Sequence, residues 1–178
     1  MPAAGPWGWH PLADAWAARI VADARVGADD LVLDVGAGRG ALTRHLAATG
    51  ARVIAVELHP ARVAFLRERY AGTSVRVVAV DAADLRLPRR PFRVVASPPY
   101  AITSVLLRRL LGRDSMMISA DLVLQRAAAR RFAEGRVLGA VRWPRDWALT
   151  VGRSLPRSAF RPPPRVDSAV LRIRATRK

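Results

Sequence analysis

The sequence predicts an α/β protein with a doubly wound, mostly parallel sheet, and three observations carry that prediction. Short apolar runs alternate with longer amphipathic ones from residue 13 to residue 133, the pattern of strands joined by crossover helices. A glycine-rich turn, "GAGRG" (36–40), follows the first apolar run and opens a helical pattern. The last two strand-like runs have only "PRSAFRPPPRV" between them. With no crossover helix they are expected to pair antiparallel at a sheet edge.

Taken in order, residues 13–25 read as a helix, with Trp16, Ile20 and Val21 at helical spacing. "LVLDV" (31–35) is a buried strand, and "ALTRHLAATG" (41–50) is a helix that Gly50 closes. "ARVIAVEL" (51–58) is the second strand, and "HPARVAFLRERY" (59–70) is a helix with Pro60 in its first turn. Strands follow at 75–80 and 92–97, then a helix at 102–111, a strand at 117–124 and an arginine-rich helix around 125–133. The strands at 146–155 and 167–175 end the pattern. Residues 1–178 thus form one expected domain, with 1–12 as an N-terminal arm and 134–145 as a mobile basic loop.

Charge is the strongest global signal. Thirty Lys and Arg face fourteen Asp and Glu, a net charge of +16, and Lys178 is the only lysine. Such a basic chain points to a polyanionic partner. A GC-rich coding bias raises arginine without function, but it supplies Asp and Glu as well. Arginine presents a planar fork to phosphate and stacks on bases, which suits RNA. No stretch of 18 residues lacks charge and no signal-peptide pattern opens the chain, so neither a membrane span nor export is expected. Cysteine is absent, and His10, His45 and His59 show no metal-ligand spacing. A cytoplasmic, metal-free monomer is the default expectation.

Three motifs fall at the C-terminal ends of the predicted parallel strands, where open sheets of this kind bind ligands. In "LDVGAGRGALT" the glycines Gly36, Gly38 and Gly40 permit a tight turn and close approach to a ligand. Glu57, at the end of the second strand, stands where an acid can bind ribose hydroxyls. A dinucleotide remains possible from the glycine spacing alone. Asp34 favours S-adenosylmethionine instead, because an acid here attracts an ammonium or sulfonium and repels a pyrophosphate. In "VDAADL" Asp81, next to Ala82, can accept from an adenine amine or simply cap its turn. In "VVASPPY" Ser97 ends the fourth strand. The Ser97 hydroxyl and the Pro98 carbonyl are two acceptors for the hydrogens of an exocyclic amine, whose lone pair they would free from the ring. Tyr100 can stack on a base that has left its helix.

On these residues the chain resembles the rRNA adenine N6-methyltransferase family, which includes the erythromycin-resistance enzymes and their KsgA-like relatives. The resemblance rests on "DVGAGRGALT", "VIAVELHP", "VDAADLRLP", "FRVVASPPYAIT" and "SAFRPPPRVDSAV" and covers nearly the whole chain. It implies a Rossmann-like class I S-adenosylmethionine-dependent methyltransferase, with a seven-stranded sheet whose last strand is antiparallel. It further implies cofactor contacts from Gly36, Glu57, Leu58, Asp81, Ala82 and Ser97, with Tyr100 beside the target base. By the match of "WGWHPL" to the family's N-terminal motif, His10 and Leu12 line the cofactor pocket.

Three features depart from the family pattern. Ser97 replaces the usual Asn, and Trp9 and His10 replace the usual Gln and Asn. The chain also stops soon after the last strand, where typical members continue into a small helical domain. On that pattern RNA is expected to be held by the catalytic domain, through Arg126, Arg130, Arg131, Arg136, Arg142, Arg145, Phe160 and Arg165. The expected activity is methylation of adenine N6 in large-subunit rRNA, giving macrolide-lincosamide-streptogramin resistance. The alternatives are dimethylation of small-subunit rRNA and RNA binding with little catalysis.

Overall fold

A computed structural model describes residues 10–135 and 146–176. The arm before His10 and most of the basic loop, including Arg136, Arg142 and Arg145, lie outside the described residues. Among the described residues five α-helices and seven strands follow one another in the order that the sequence pattern predicts. The order is α1 (Asp14–Ala24), β1 (Leu31–Val35), α2 (Ala41–Ala48), β2 (Arg52–Glu57), α3 (Pro60–Arg69), β3 (Val75–Ala79) and β4 (Phe92–Ala96). Then come α4 (Thr103–Leu110), β5 (Met117–Gln125), α5 (Arg126–Ala133), β6 (Trp147–Leu155) and β7 (Ser168–Ala175).

The strands form one sheet in the order β3-β2-β1-β4-β5-β7-β6. β1 to β5 are parallel, and β7 runs antiparallel to both β5 and β6. The order reverses at β1 and β4, which opens a crevice beyond their C-terminal ends. β1 is buried along its length, as a central parallel strand must be. Its pleat sends Leu31, Leu33 and Val35 into a core with Leu106, Leu107, Leu110 and Phe132. Val32 faces the opposite core, with Ile20, Leu46 and Leu66. Each such aliphatic side chain contributes about 1.5–3 kcal/mol on burial. Asp34 occupies the same buried strand, and no hydrophobic gain explains a carboxylate there.

The edge at β6 is held by charge as well as pairing. Asp23 on α1 accepts from Arg153 Nε at 2.7 Å and from Arg172 at 3.4 Å. Asp121 on β5, almost fully buried, meets Arg174 at 2.9 Å and Arg172 at 3.6 Å. A Cβ at position 152 would stand 2.8 Å from Arg172 Nε, so Gly152 leaves the room this cluster needs. Nothing helical lies between β3 and β4. The β2–β3 side of one sheet face therefore carries only the 81–91 segment and an open groove of about 580 Å³.

Candidate active site

A second cavity, of about 460 Å³, lies beyond the C-terminal ends of β1, β2, β3 and β4. Its floor is the turn after β1, which depends on glycine. Gly36 has φ +77°, and a Cβ there would stand 2.8 Å from Pro99 Cδ and 3.3 Å from Pro98 Cα. The Pro-Pro turn after β4 is thus packed directly on the first glycine, and any side chain would push the two motifs apart. Gly40, with φ +83°, begins α2 beneath Leu66 and Tyr70, where a Cβ would have 3.1 Å to each.

Three carboxylates line this cavity. Asp34 is 1% exposed; Oδ2 accepts from the Thr43 hydroxyl at 2.6 Å, and Oδ1 is buried with no partner among the described residues. Burial pushes its pKa up to about 7, against the pull of the Thr43 bonds and with a smaller push from the Glu57 charge. A lone buried acceptor facing a cavity is costly unless a donor arrives. Glu57 accepts from Gly38 N at 2.8 Å through Oε2, and from Leu58 N (3.0 Å) and His59 N (2.9 Å) through Oε1. A carboxylate offers about four acceptor positions, so room for one more donor remains. Asp81 caps its own turn through Oδ1 to Ala83 N at 2.8 Å, and it also lines the cavity. The two readings of that residue are compatible.

The opposite wall is "SPPY". The Ser97 hydroxyl and the Pro98 carbonyl line the cavity and have no hydrogen-bond partner among the described residues. Tyr100 sits in a single turn of 3-10 helix, Tyr100–Ile102, with its hydroxyl 3.0 Å from Ser168 Oγ. The roof comes from the N-terminal arm. Leu12 bridges to Phe160, Arg161 N donates to the Pro11 carbonyl at 3.0 Å, and His10 Nδ1 donates to the Pro162 carbonyl at 2.9 Å.

The structure therefore brings His10, Leu12, Asp34, Gly36, Glu57, Leu58, Asp81, Ala82, Ser97, Pro98 and Tyr100 to one cavity. Gly38 and Gly40 shape its turn. The expected RNA contacts are less uniform. Arg130, Arg131 and Arg165 are exposed, whereas Arg126 pairs with Asp167 at 3.2 Å, which compensates its charge. Phe160 is 2% exposed and forms cavity wall rather than outer surface. Sequence reasoning missed Thr43, which holds Asp34, and Arg39 and Arg62, which line the cavity beside Glu57. Thr43 reads as an ordinary polar helix residue until β1 and α2 are packed together.

The donor set fits S-adenosylmethionine. The orphaned Asp34 oxygen suits a cationic group, Glu57 the ribose hydroxyls and Asp81 the adenine amine. Three carboxylates face two guanidinium groups, Arg39 and Arg62, among the lining residues, a balance that disfavours a pyrophosphate.

Strand order, glycine turn and placed acids define a Rossmann-like class I methyltransferase. A family model described as "Ribosomal RNA adenine dimethylase" matches residues 13–178, and the chain belongs to that family. It is similar to an rRNA adenine N-6-methyltransferase of Bacillus licheniformis, at 34% identity over 163 residues, which cover 89% of this chain and 56% of that protein. It is equally similar to a probable ribosomal RNA small subunit methyltransferase A of Methanosarcina barkeri, 34% over 175 residues, 95% of this chain and 60% of that one. The crystal structure of the 23S rRNA methyltransferase ErmE matches with a TM-score of 0.81 and 31% identity, covering 94% of this chain and 70% of that one. The chain thus spans little more than half the length of these two curated relatives.

Proposed function

We propose that this chain transfers a methyl group from S-adenosylmethionine to N6 of one adenine in large-subunit rRNA, with macrolide-lincosamide-streptogramin resistance as the consequence. The observation that carries this reading is the pair of unpartnered acceptors, Ser97 Oγ and Pro98 O, at the rim of a cavity lined by Asp34, Glu57 and Asp81. Bound S-adenosylmethionine supplies an electrophilic methyl on a sulfonium centre. Asp34 would hold its cationic end, Glu57 its ribose and Asp81 its adenine.

The chain's remaining task is to make a poor nucleophile competent. The N6 lone pair is delocalised into the adenine ring. Accepting both N6 hydrogens at Ser97 Oγ and Pro98 O favours pyramidal nitrogen and directs the lone pair toward the methyl. Transfer there would form the new N–C bond as the cofactor's S–C bond breaks, and the surplus proton would leave to water afterwards. No strong base is needed, which agrees with a turn that offers acceptors but no basic side chain. Positioning carries the rate. Tyr100 supplies the face on which the extruded base stacks. Arg130, Arg131 and Arg165 supply phosphate contacts, and rRNA places the work in the cytoplasm.

One observation favours a second reading. Relatives named for the small ribosomal subunit match as well as those named for adenine N-6 methylation, which keeps small-subunit dimethylation as the alternative. Radiolabelled methyl transfer to each purified rRNA, followed by chromatography of the labelled nucleosides, separates them. The expected result is N6-methylated adenosine from large-subunit rRNA. Label only in small-subunit rRNA supports the alternative, and no label in either sinks the enzymatic reading.

A further inference from the structure

We infer that Ser168 is a positioning residue for methyl transfer. Its hydroxyl anchors the Tyr100 phenol to β7, at the point where Asp167 anchors the start of the basic helix α5. This deepens the proposed function and rests on that reading.

Tyr100 sits in a turn of three residues closed by backbone bonds from Ile102 N to the Pro99 carbonyl, at 3.1 Å, and from Thr103 N to the carbonyl of Tyr100 itself. Such a turn does not by itself choose a side-chain rotamer, and a stacking ring that samples several is a poor template for a base. The hydroxyl contact to Ser168 Oγ, at 3.0 Å, removes that freedom. Ser168 is a suitable anchor. It is 0% exposed, opens β7, and pairs in register with Gln125 of β5 on one side and Leu155 of β6 on the other. Buried hydroxyls require a partner, and Tyr100 is the side-chain partner Ser168 has among the described residues.

The preceding residue does the same for α5. Arg126 N donates to the Asp167 carbonyl at 2.9 Å, and Arg126 Nη2 meets Asp167 Oδ2 at 3.2 Å. Two adjacent residues, Asp167 just before β7 and Ser168 at its start, therefore fix the aromatic ring at the cavity and the helix that exposes Arg130 and Arg131. RNA phosphates seated on α5 and an adenine stacked on Tyr100 are held in one register. The "VDS" of the C-terminal motif acquires a role in orientation, although only Ser168 reaches a residue of the cavity.

Two readouts test this, one of them independent of turnover. The protein has two tyrosines, Tyr70 and Tyr100. Labelling with 3-fluorotyrosine gives two fluorine resonances, and the one missing from Tyr100→Phe is that of Tyr100. Ser168→Ala is expected to shift and narrow the Tyr100 line while leaving the Tyr70 line in place. An unmoved Tyr100 line overturns the inference whatever the activity. In methyl transfer, Ser168→Ala and Tyr100→Phe each lower kcat/KM for RNA roughly tenfold, the scale of one hydrogen bond. The double variant is expected to be no worse than the weaker single, and affinity for S-adenosylmethionine stays within twofold. Multiplicative losses, or a loss in cofactor affinity of the same size, would show that Ser168 acts on general stability and overturn the positioning role. A Tyr100 line that moves on Ser168→Ala, with no methyl transfer by the wild-type protein, sinks the functional reading and leaves the anchor standing.

Discussion

Of two cavities that lie against strands β1 to β3, one is the candidate site and the other is not. The groove on the open β2–β3 face, about 580 Å³, is walled by Leu31, Leu33, Ile54 and Val78 and rimmed by Arg76, Arg86, Arg89 and Arg90. The cavity beyond the strand ends, about 460 Å³, carries Asp34, Glu57 and Asp81 and the free acceptors of Ser97 and Pro98. Both touch Val80, so they are neighbours separated by one turn. Volume does not distinguish a site here. What distinguishes it is position at the strand ends, where backbone and side-chain groups converge, and a buried carboxylate, Asp34, one of whose oxygens has no partner among the described residues. The groove exists because no helix follows β3; the cavity exists because glycine and proline hold two turns in contact.

The largest test of that contrast is Gly36→Ala. The added methyl meets Pro99 Cδ at 2.8 Å on a residue with φ +77°, and displacing either turn misplaces the reacting groups. Methyl transfer is expected to fall by about 100-fold or more, with a thermal melt recorded alongside. Activity within threefold of wild type would break the claim that contact between the turns builds the cavity.

Next in size is pH. Because burial raises Asp34 to about 7, the carboxyl loses its charge as pH falls through that value. Affinity for a cationic cofactor should then weaken roughly five- to tenfold between pH 7.5 and pH 6. Stability runs the other way. A carboxyl whose folded pKa lies above the unfolded value stabilises the fold below that unfolded value, and the contribution is lost as pH rises through about 7. Asp34→Asn should abolish both dependences, as calorimetric titration with S-adenosylmethionine and melts across the window would read. An unchanged pH profile in the variant would assign the effect to another group.

A smaller effect is expected outside both cavities. Replacing Arg130 and Arg131 with Gln should flatten the salt dependence of RNA binding by about 1.4 in log-log slope, at 0.7 for each single-strand phosphate contact. Cofactor affinity should not change. The smallest effect belongs to the groove. Arg86→Glu with Arg89→Glu should leave affinity for S-adenosylmethionine within about twofold, because both side chains are exposed and salt screens their charge. A tenfold loss would mean that the two cavities act as one.

The fold was legible because its signals are local. Each strand is an apolar run, each helix an amphipathic one, and Gly36, Gly50 and Pro60 mark turns by their own backbone limits. The absent crossover between β6 and β7 even predicted their antiparallel pairing. The cavity's carboxylates were legible for the same reason, since strand ends place them. Other parts of the site depend on contacts between distant residues. Thr43 under Asp34, Arg126 on Asp167 and Tyr100 on Ser168 each join elements whose packing no local pattern announces. Phe160, expected among the RNA contacts, is buried because the arm at Leu12 pairs with it. The arginine excess pointed to a polyanion without saying which arginines remain free. Arg126, Arg153, Arg172 and Arg174 are engaged by Asp167, Asp23 and Asp121.

The central claim is that Ser97 acts on the amine and not on the cofactor. The measurement that addresses it most directly compares Ser97→Ala with wild type in single-turnover methyl transfer to large-subunit rRNA and in calorimetric titration with S-adenosylmethionine. Loss of one hydrogen bond to the reacting amine is expected to slow the chemical step by about 10- to 100-fold, with cofactor affinity unchanged within twofold. Equal methyl-transfer rates in the two proteins, or a loss confined to cofactor affinity, would contradict the account.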